Sequence, residues 1–229
     1  MPAGPPDERD EQPHATAAVE EWLFACWEPD GATGLLSGYR RHGASGPHWY
    51  WAALVDAGAP LLHVAEWHVP PRADPLLVKA PGLWAEHTVD APMQQWTVAN
   101  ETFATALDDP ADALGRAYGV PTAVAFDLEW YATAPPSSVS DGYVQDGVVH
   151  GLVERAGGPL RLTEVPARRW HRWGRALQPV ELPDAFAHTG LRAPFAFPDG
   201  TVADWVLTPD GWRRLPRAPV PAASSTSAR

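Results

Sequence analysis

The chain is a succession of short apolar runs, each cut off by turn-forming residues. Glu21–Trp27 ends at Glu28-Pro29-Asp30-Gly31, and His48–Val55 is joined through Asp56-Ala57-Gly58-Ala59-Pro60 to Leu61–Val69. Gly and Pro at these breaks supply the dihedrals that tight turns need. The last two runs therefore predict an antiparallel pair. Further runs follow at Leu76–Ala80, Trp84–Val89, Gln94–Leu107, Ala123–Ala132, Gly142–Glu154, Leu160–Val165, Ala193–Phe197 and Val202–Leu207. Asp199-Gly200 and Asp210-Gly211 are hairpin dipeptides. One stretch reads as a helix: Asp109 can cap it, Pro110 suits its first position, and Gly119 suits the position past its end. The pattern predicts an all-β chain, folded as an antiparallel barrel or curved β-sandwich, with one short helix.

Alternation along a strand sorts side chains onto two faces. His48 and Tyr50 share one face, and Trp49 and Trp51 the other. Phe126, Leu128 and Trp130 oppose Asp127, Glu129 and Tyr131. Trp84, Glu86 and Thr88 oppose His87. An aromatic face is thus repeatedly backed by a titratable one. A closed sheet would turn one of them inward: with the polar face inside the cavity is reactive, and with the aromatic face inside it is greasy. The pattern leaves both open.

Composition sharpens the picture. Twelve Trp stand against two Met in 229 residues. Indoles carry the largest apolar surfaces and one N–H each, so they fill a core, line a cavity, or do both. The formal charge of −11 argues against general nucleic-acid binding. Arg168, Arg169, Arg172 and Arg175 form only a local basic cluster. The single Cys26 excludes an intrachain disulfide and a CxxC site, and is compatible with a cytoplasmic setting. Residues 1–16 read as a disordered acidic leader, 17–216 as a single β domain and 217–229 as a disordered tail. No run suggests a signal peptide or a membrane span.

Two motifs carry a resemblance. Tyr143–Gly151, YVQDGVVHG, resembles the Y-x-Q-x-G-x-x-x-G strand of the carotenoid hydratase and AttH-like lipocalin-type superfamily, which includes Diels–Alderase relatives. His171–Arg175, HRWGR, resembles its H-S-W-G-x-R signature, and Ala193–Trp212 its closing hairpin. Trp84–Leu107 also looks like a branch of these proteins. The resemblance implies a lipocalin-like barrel, and relatives that hydrate isoprenoid double bonds or assist cyclisations. Family members often carry an acid just before H-S-W-G, where this chain has Trp170. Well-known members also carry two lipocalin-like halves, for which this chain is short.

Candidate chemistry follows. His171 would move a proton, with Trp173 stacking on a ligand; the alternative is a structural pair. Asp127, Glu129 and Tyr131 would form an acid pair with a phenol, or a solvated outer face. Tyr143 and Gln145 share a face with Gly147 and Gly151, which leaves room for a ligand or for a close backbone. His63, Glu66, His68, Glu86 and His87 invite a metal, but their spacing matches no ligand motif, and none is expected. No serine elbow, dinucleotide fingerprint or P-loop occurs. The expectation is an enzyme of isoprenoid or polyketide metabolism, a hydratase, cyclase or isomerase working without a cofactor. His171, Asp127, Glu129 and Tyr143 would be catalytic. Trp49, Trp51, Trp96, Trp130, Gln145 and Trp173 would line a cavity for an apolar ligand. A non-catalytic carrier or sensor and a solid β-sandwich interaction module are the rivals. The acidic surface does not encode an oligomeric state.

Overall fold

A computed structural model describes residues 5–43, 46–177 and 190–215. The predicted tail at 217–229 lies outside them.

The described chain is almost wholly antiparallel β. In order come β1 (Val19–Trp27), β2 (Thr33–Arg41), β3 (His48–Asp56), β4 (Leu61–Val69), β5 (Leu77–Ala80), β6 (Leu83–Ala91) and β7 (Gln95–Leu107). Then follow β8 (Val120–Ala132), β9 (Ser137–Val139), β10 (Gly142–Arg155), β11 (Leu160–Gly174), β12 (Leu191–Ala196), β13 (Val202–Thr208) and β14 (Gly211–Leu215). The main sheet runs β4-β3-β2-β1-β11-β10-β8-β7-β6-β5. It closes because β7 is long. Its first part pairs with β6, while Thr105, Ala106 and Leu107 pair with His63, Leu62 and Leu61 of β4. The ring β1-β2-β3-β4-β7-β8-β10-β11 is thus a barrel, with β6 and β5 carried on its flank. β12-β13-β14 form a separate small sheet, not a closing hairpin of the barrel. Its Asp199-Gly200 turn falls where the sequence puts it, with Gly200 at φ +83°.

Two cores result. Inside the barrel pack Trp22, Phe24, Tyr39, Tyr50, Trp96, Phe126, Leu128 and Trp130. Between the barrel's outer wall and the small sheet pack Leu23, Trp27, Trp49, Trp51, Trp170, Phe195, Phe197, Trp205 and Trp212. β1 is buried at all nine positions because it has a core on each face.

The alternation is therefore settled strand by strand. On β8 the aromatic face is inside, while Asp127 and Glu129 are exposed. On β3, Tyr50 is inside and Trp49 and Trp51 face the small sheet. The interior is filled rather than hollow: cavities beside Phe24, Cys26, Leu128 and Trp130, and beside Cys26, Leu54 and Val153, measure about 10 Å³ each. Such a space holds one water at most.

Two other expectations change. The helix shrinks to a 3-10 turn, Pro110–Leu114, capped by Asp109 and ended at Gly115 rather than Gly119. Residues 5–16 are not a free leader. Glu8–Glu11 make a 3-10 turn capped by Asp7, and Glu11 is fully buried, because its carboxylate finds Arg169 inside the barrel mouth.

Candidate active site

The two motif strands are neighbours. Across β10 and β11, Tyr143 stands opposite His171 and Gln145 opposite Arg169. Across β1 and β11, Trp22 stands opposite His171. Alternation turns Tyr143, Gln145, Arg169 and His171 into the barrel together. All four are buried.

Arg169 is the hub. Its guanidinium lies about 5 Å from the ring centres of Trp96, Trp130 and Tyr143, at 5.3, 4.9 and 5.1 Å. Nη1 donates to Tyr143 Oη at 3.0 Å. Nε and Nη2 donate to Gln145 Oε1 at 3.1 and 2.6 Å. Nη2 and Nη1 donate to the Glu11 carboxylate at 2.6 and 3.2 Å. Glu11 Oε1 also accepts from the Met93 N–H at 2.8 Å. Gln145 spends its amide protons on the carbonyls of Met93 and Ala134, so it fixes Arg169 and the turn before β7.

Beside this hub, Glu20 accepts from His171 Nε2 at 2.9 Å and from His14 Nδ1 at 2.8 Å, both on Oε1. Arg41 Nη1 reaches its Oε2 at 3.2 Å. Burial pushes the Glu20 carboxyl up, but the hydrogen bonds from His171 and His14 outweigh it and hold the group below its ordinary range. Glu20 is thus ionised and only accepts, so His171 carries its proton on Nε2. Burial also pushes the His171 imidazole down despite Glu20; the ring is neutral. Its Nδ1 then presents a lone pair, buried and, among the described residues, without a hydrogen-bond partner. Burial holds the Tyr143 phenol protonated. The His171 ring stacks on Trp22 at 4.6 Å and meets Tyr143 edge-on at 5.5 Å. Trp173 is stacked by His14, with centroids 4.0 Å apart and planes 9° from parallel.

His14, Glu20 and His171 also form a His₂–carboxylate set whose ligand atoms lie within 4.8 Å of one another, a donor type suited to a divalent metal. The five residues considered for a metal from sequence do not come together. His63 bonds the Pro194 carbonyl under the small sheet and His87 points into the barrel toward Ser37. Glu66 bonds the His68 N–H and Glu86 accepts from Thr88.

The other expected site residues separate. Asp127 and Glu129 are on the outer wall, because Phe126, Leu128 and Trp130 claim the inside; Glu129 accepts from Tyr131. Trp49 and Trp51 sandwich Arg40 and Phe197 under the small sheet. Trp96 and Trp130 are inside but packed around Arg169. Gly147 makes room for an indole, not a ligand: a Cβ there would lie 2.4 Å from Trp130 Cε2. Sequence reasoning missed Glu11, His14, Glu20, Trp22 and Arg169. Only two signals were available, the 169-171-173 alternation and the Glu20-Trp22-Phe24 alternation.

Deeper in the barrel, Tyr50 Oη accepts from Asn100 Nδ2 at 2.8 Å and lies 3.1 Å from Ser37 Oγ, which is 3.4 Å from His87 Nε2. Two adjoining open grooves of about 760 and 440 Å³ lie elsewhere, on the outer wall, edged by Trp84, Glu101 and Glu154. Asp127 borders the smaller, and the hub residues border neither.

No family model and no curated protein matches the chain. Among solved structures, that of CghA with Sch210972 is similar at 13% identity and a TM-score of 0.36, over 69% of this chain and 45% of that one. The chain thus spans less than half the length of that protein. Among the described residues no helix is long and apolar enough to cross a membrane.

Proposed function

We propose that this protein is an enzyme that moves a proton on an apolar small molecule, of lyase or isomerase type and without a cofactor. His171 Nδ1 takes a proton from the substrate, Glu20 positions the ring, the Tyr143 hydroxyl gives a proton to the substrate, and the proton on His171 then passes to the Tyr143 oxygen to reset the pair. The observation that carries the reading is the His171 imidazole. Its Nε2–H is spent on an ionised carboxylate, while its Nδ1 is buried and, among the described residues, unpartnered, on a ring that meets the Tyr143 ring edge-on. That is the nucleophile-free half of a triad, in which a carboxylate fixes the tautomer and the free nitrogen takes the proton. Hydration and double-bond migration each add one proton and remove another, which such a pair supplies. The resemblance of the β10 and β11 motifs to the carotenoid hydratase and AttH-like superfamily supports the same class, since it falls on Tyr143 and His171.

The test is conversion of small-molecule extracts followed by mass spectrometry. The wild type should consume a compound that His171→Asn, Glu20→Gln and Tyr143→Phe leave intact, with the variants still folded. A compound that binds tightly and is recovered unchanged from the wild type would instead make the protein a carrier.

A further inference from the structure

The carboxylate receptor at the barrel mouth is built by the barrel, but its occupant is not. Arg169 Nη1 and Nη2 and the Met93 N–H converge on one carboxylate. Arg169 is 1% exposed, ringed by three aromatics and anchored by Gln145. Met93 holds φ +59°, a conformation that a non-glycine residue adopts at a cost and that aims its N–H at the site. The carboxylate comes from Glu11, on a segment that pairs with no strand. The capping bonds of Asp7 and Asp10 stay within its own turn. Three residues on, the same segment lays the flat His14 ring on Trp173.

We infer that Glu11 and His14 occupy the place of a ligand, and that the site takes a flat apolar molecule bearing a carboxylate, an aromatic or conjugated carboxylic acid. Its carboxylate takes the Arg169 and Met93 donors, and its ring takes the face of Trp173. Bidentate arginine with a backbone N–H selects a carboxylate over an alcohol, because the alcohol leaves a buried guanidinium without a counter-charge. The segment competes with such a ligand and covers the mouth in its absence. This names the substrate class for the site proposed above and rests on that reading only for the chemistry, not for the binding.

The experiment titrates 2-naphthoate and 2-naphthylmethanol against full-length wild type, Glu11→Ala and Glu11→Gln, read by indole quenching. Naphthoate should bind Glu11→Ala at least tenfold more tightly than wild type, and the alcohol should gain less than twofold. If Glu11→Ala is poorly folded, naphthoate and not the alcohol should raise its thermal midpoint, and Glu11→Gln should show the same preference. Equal binding of acid and alcohol, or no gain on removing Glu11, would overturn the inference. Tight naphthoate binding with no conversion of any compound would overturn only the catalytic reading.

Discussion

Gly147 on β10 and Trp130 on β8 share one volume: the indole edge lies where any other residue at 147 would carry its Cβ, 2.4 Å from Cε2. Trp130 is 1% exposed, in the wall around Arg169. Gly147→Ala is expected to destabilise the protein by about 1–3 kcal/mol through overpacking. A urea midpoint checks it. Combining it with Trp130→Leu should recover part of the loss, as coupled neighbours do.

Acid should unfold the protein in a window set by Glu21. This carboxylate is buried between the barrel and the small sheet, bonded by Arg40 Nη2 and Arg172 Nη2 at 2.6 Å each. Burial raises its pKa, but the two arginines outweigh burial and bring it to about 2 from 4.5. A depressed carboxylate stabilises above its unfolded pKa, and that contribution is lost as pH falls from about 4.5 toward 2. It amounts to about 3 kcal/mol. Glu21→Gln should lower stability at pH 7 and flatten its pH dependence below 4.5, measured by denaturant melts.

His87 supplies a second slope of the same sign. Burial alone lowers its pKa from 6.5 to about 3, so the unfolded chain binds a proton that the folded chain refuses. Stability is complete above pH 6.5 and declines as pH falls toward 3. His87→Gln keeps a partner for Ser37 and does not titrate. Its stability should depend less on pH between 6.5 and 4, by up to one proton.

Arg40 bonds Glu21 beside it on the barrel wall and lies over Trp49 and Trp51, and it ties the small sheet to the barrel through the Phe197 ring and Asp199 of the β12–β13 turn. Arg40→Ala leaves Glu21 short of one partner and uncovers three rings. A loss of about 3–5 kcal/mol is expected for one partner of a buried pair, with calorimetry as the check. Arg40→Lys should recover little, because an ammonium cannot both stack and bond side-on.

The antiparallel β fold was legible because period-two alternation and turn residues mark strands directly. The existence of β1, β3 through β8 and β10 through β13 follows from runs such as His48–Val55 and Ala123–Ala132, whereas β2, broken by Gly34 and Gly38, was not read as a strand. Which face is inside was not legible at β3 or β8, since both faces of β3 are buried by different cores and only the three-dimensional ring decides. His171, Tyr143 and Gln145 were singled out because they are themselves motif positions, and the structure buries all three. Glu11 and His14 were not, because an acidic, proline-rich segment has the composition of a disordered tail, and its burial depends on an arginine 158 residues away. Arg169 was hidden among Arg168, Arg172 and Arg175, whose side chains go elsewhere: Arg168 to solvent-exposed Asp146, Arg172 to Glu21.

The switch of β7 from β6 to β4 bears on self-association. A ring has few rims along its closed strands, so the unpaired backbone of the described chain lies at β5, β9, β12, β14, the part of β4 past His63 and the ends of β6, β8 and β11 that overrun their neighbours. β5 is four residues long with exposed Lys79, β9 is three, β12 carries Pro194 and β14 carries Arg213 and Arg214. The far half of β4 shows Glu66 and His68. Short, charged or proline-bearing rims make poor templates for a neighbour's strand. Rich as it is in β structure, the described chain therefore offers few edges on which fibrils could grow.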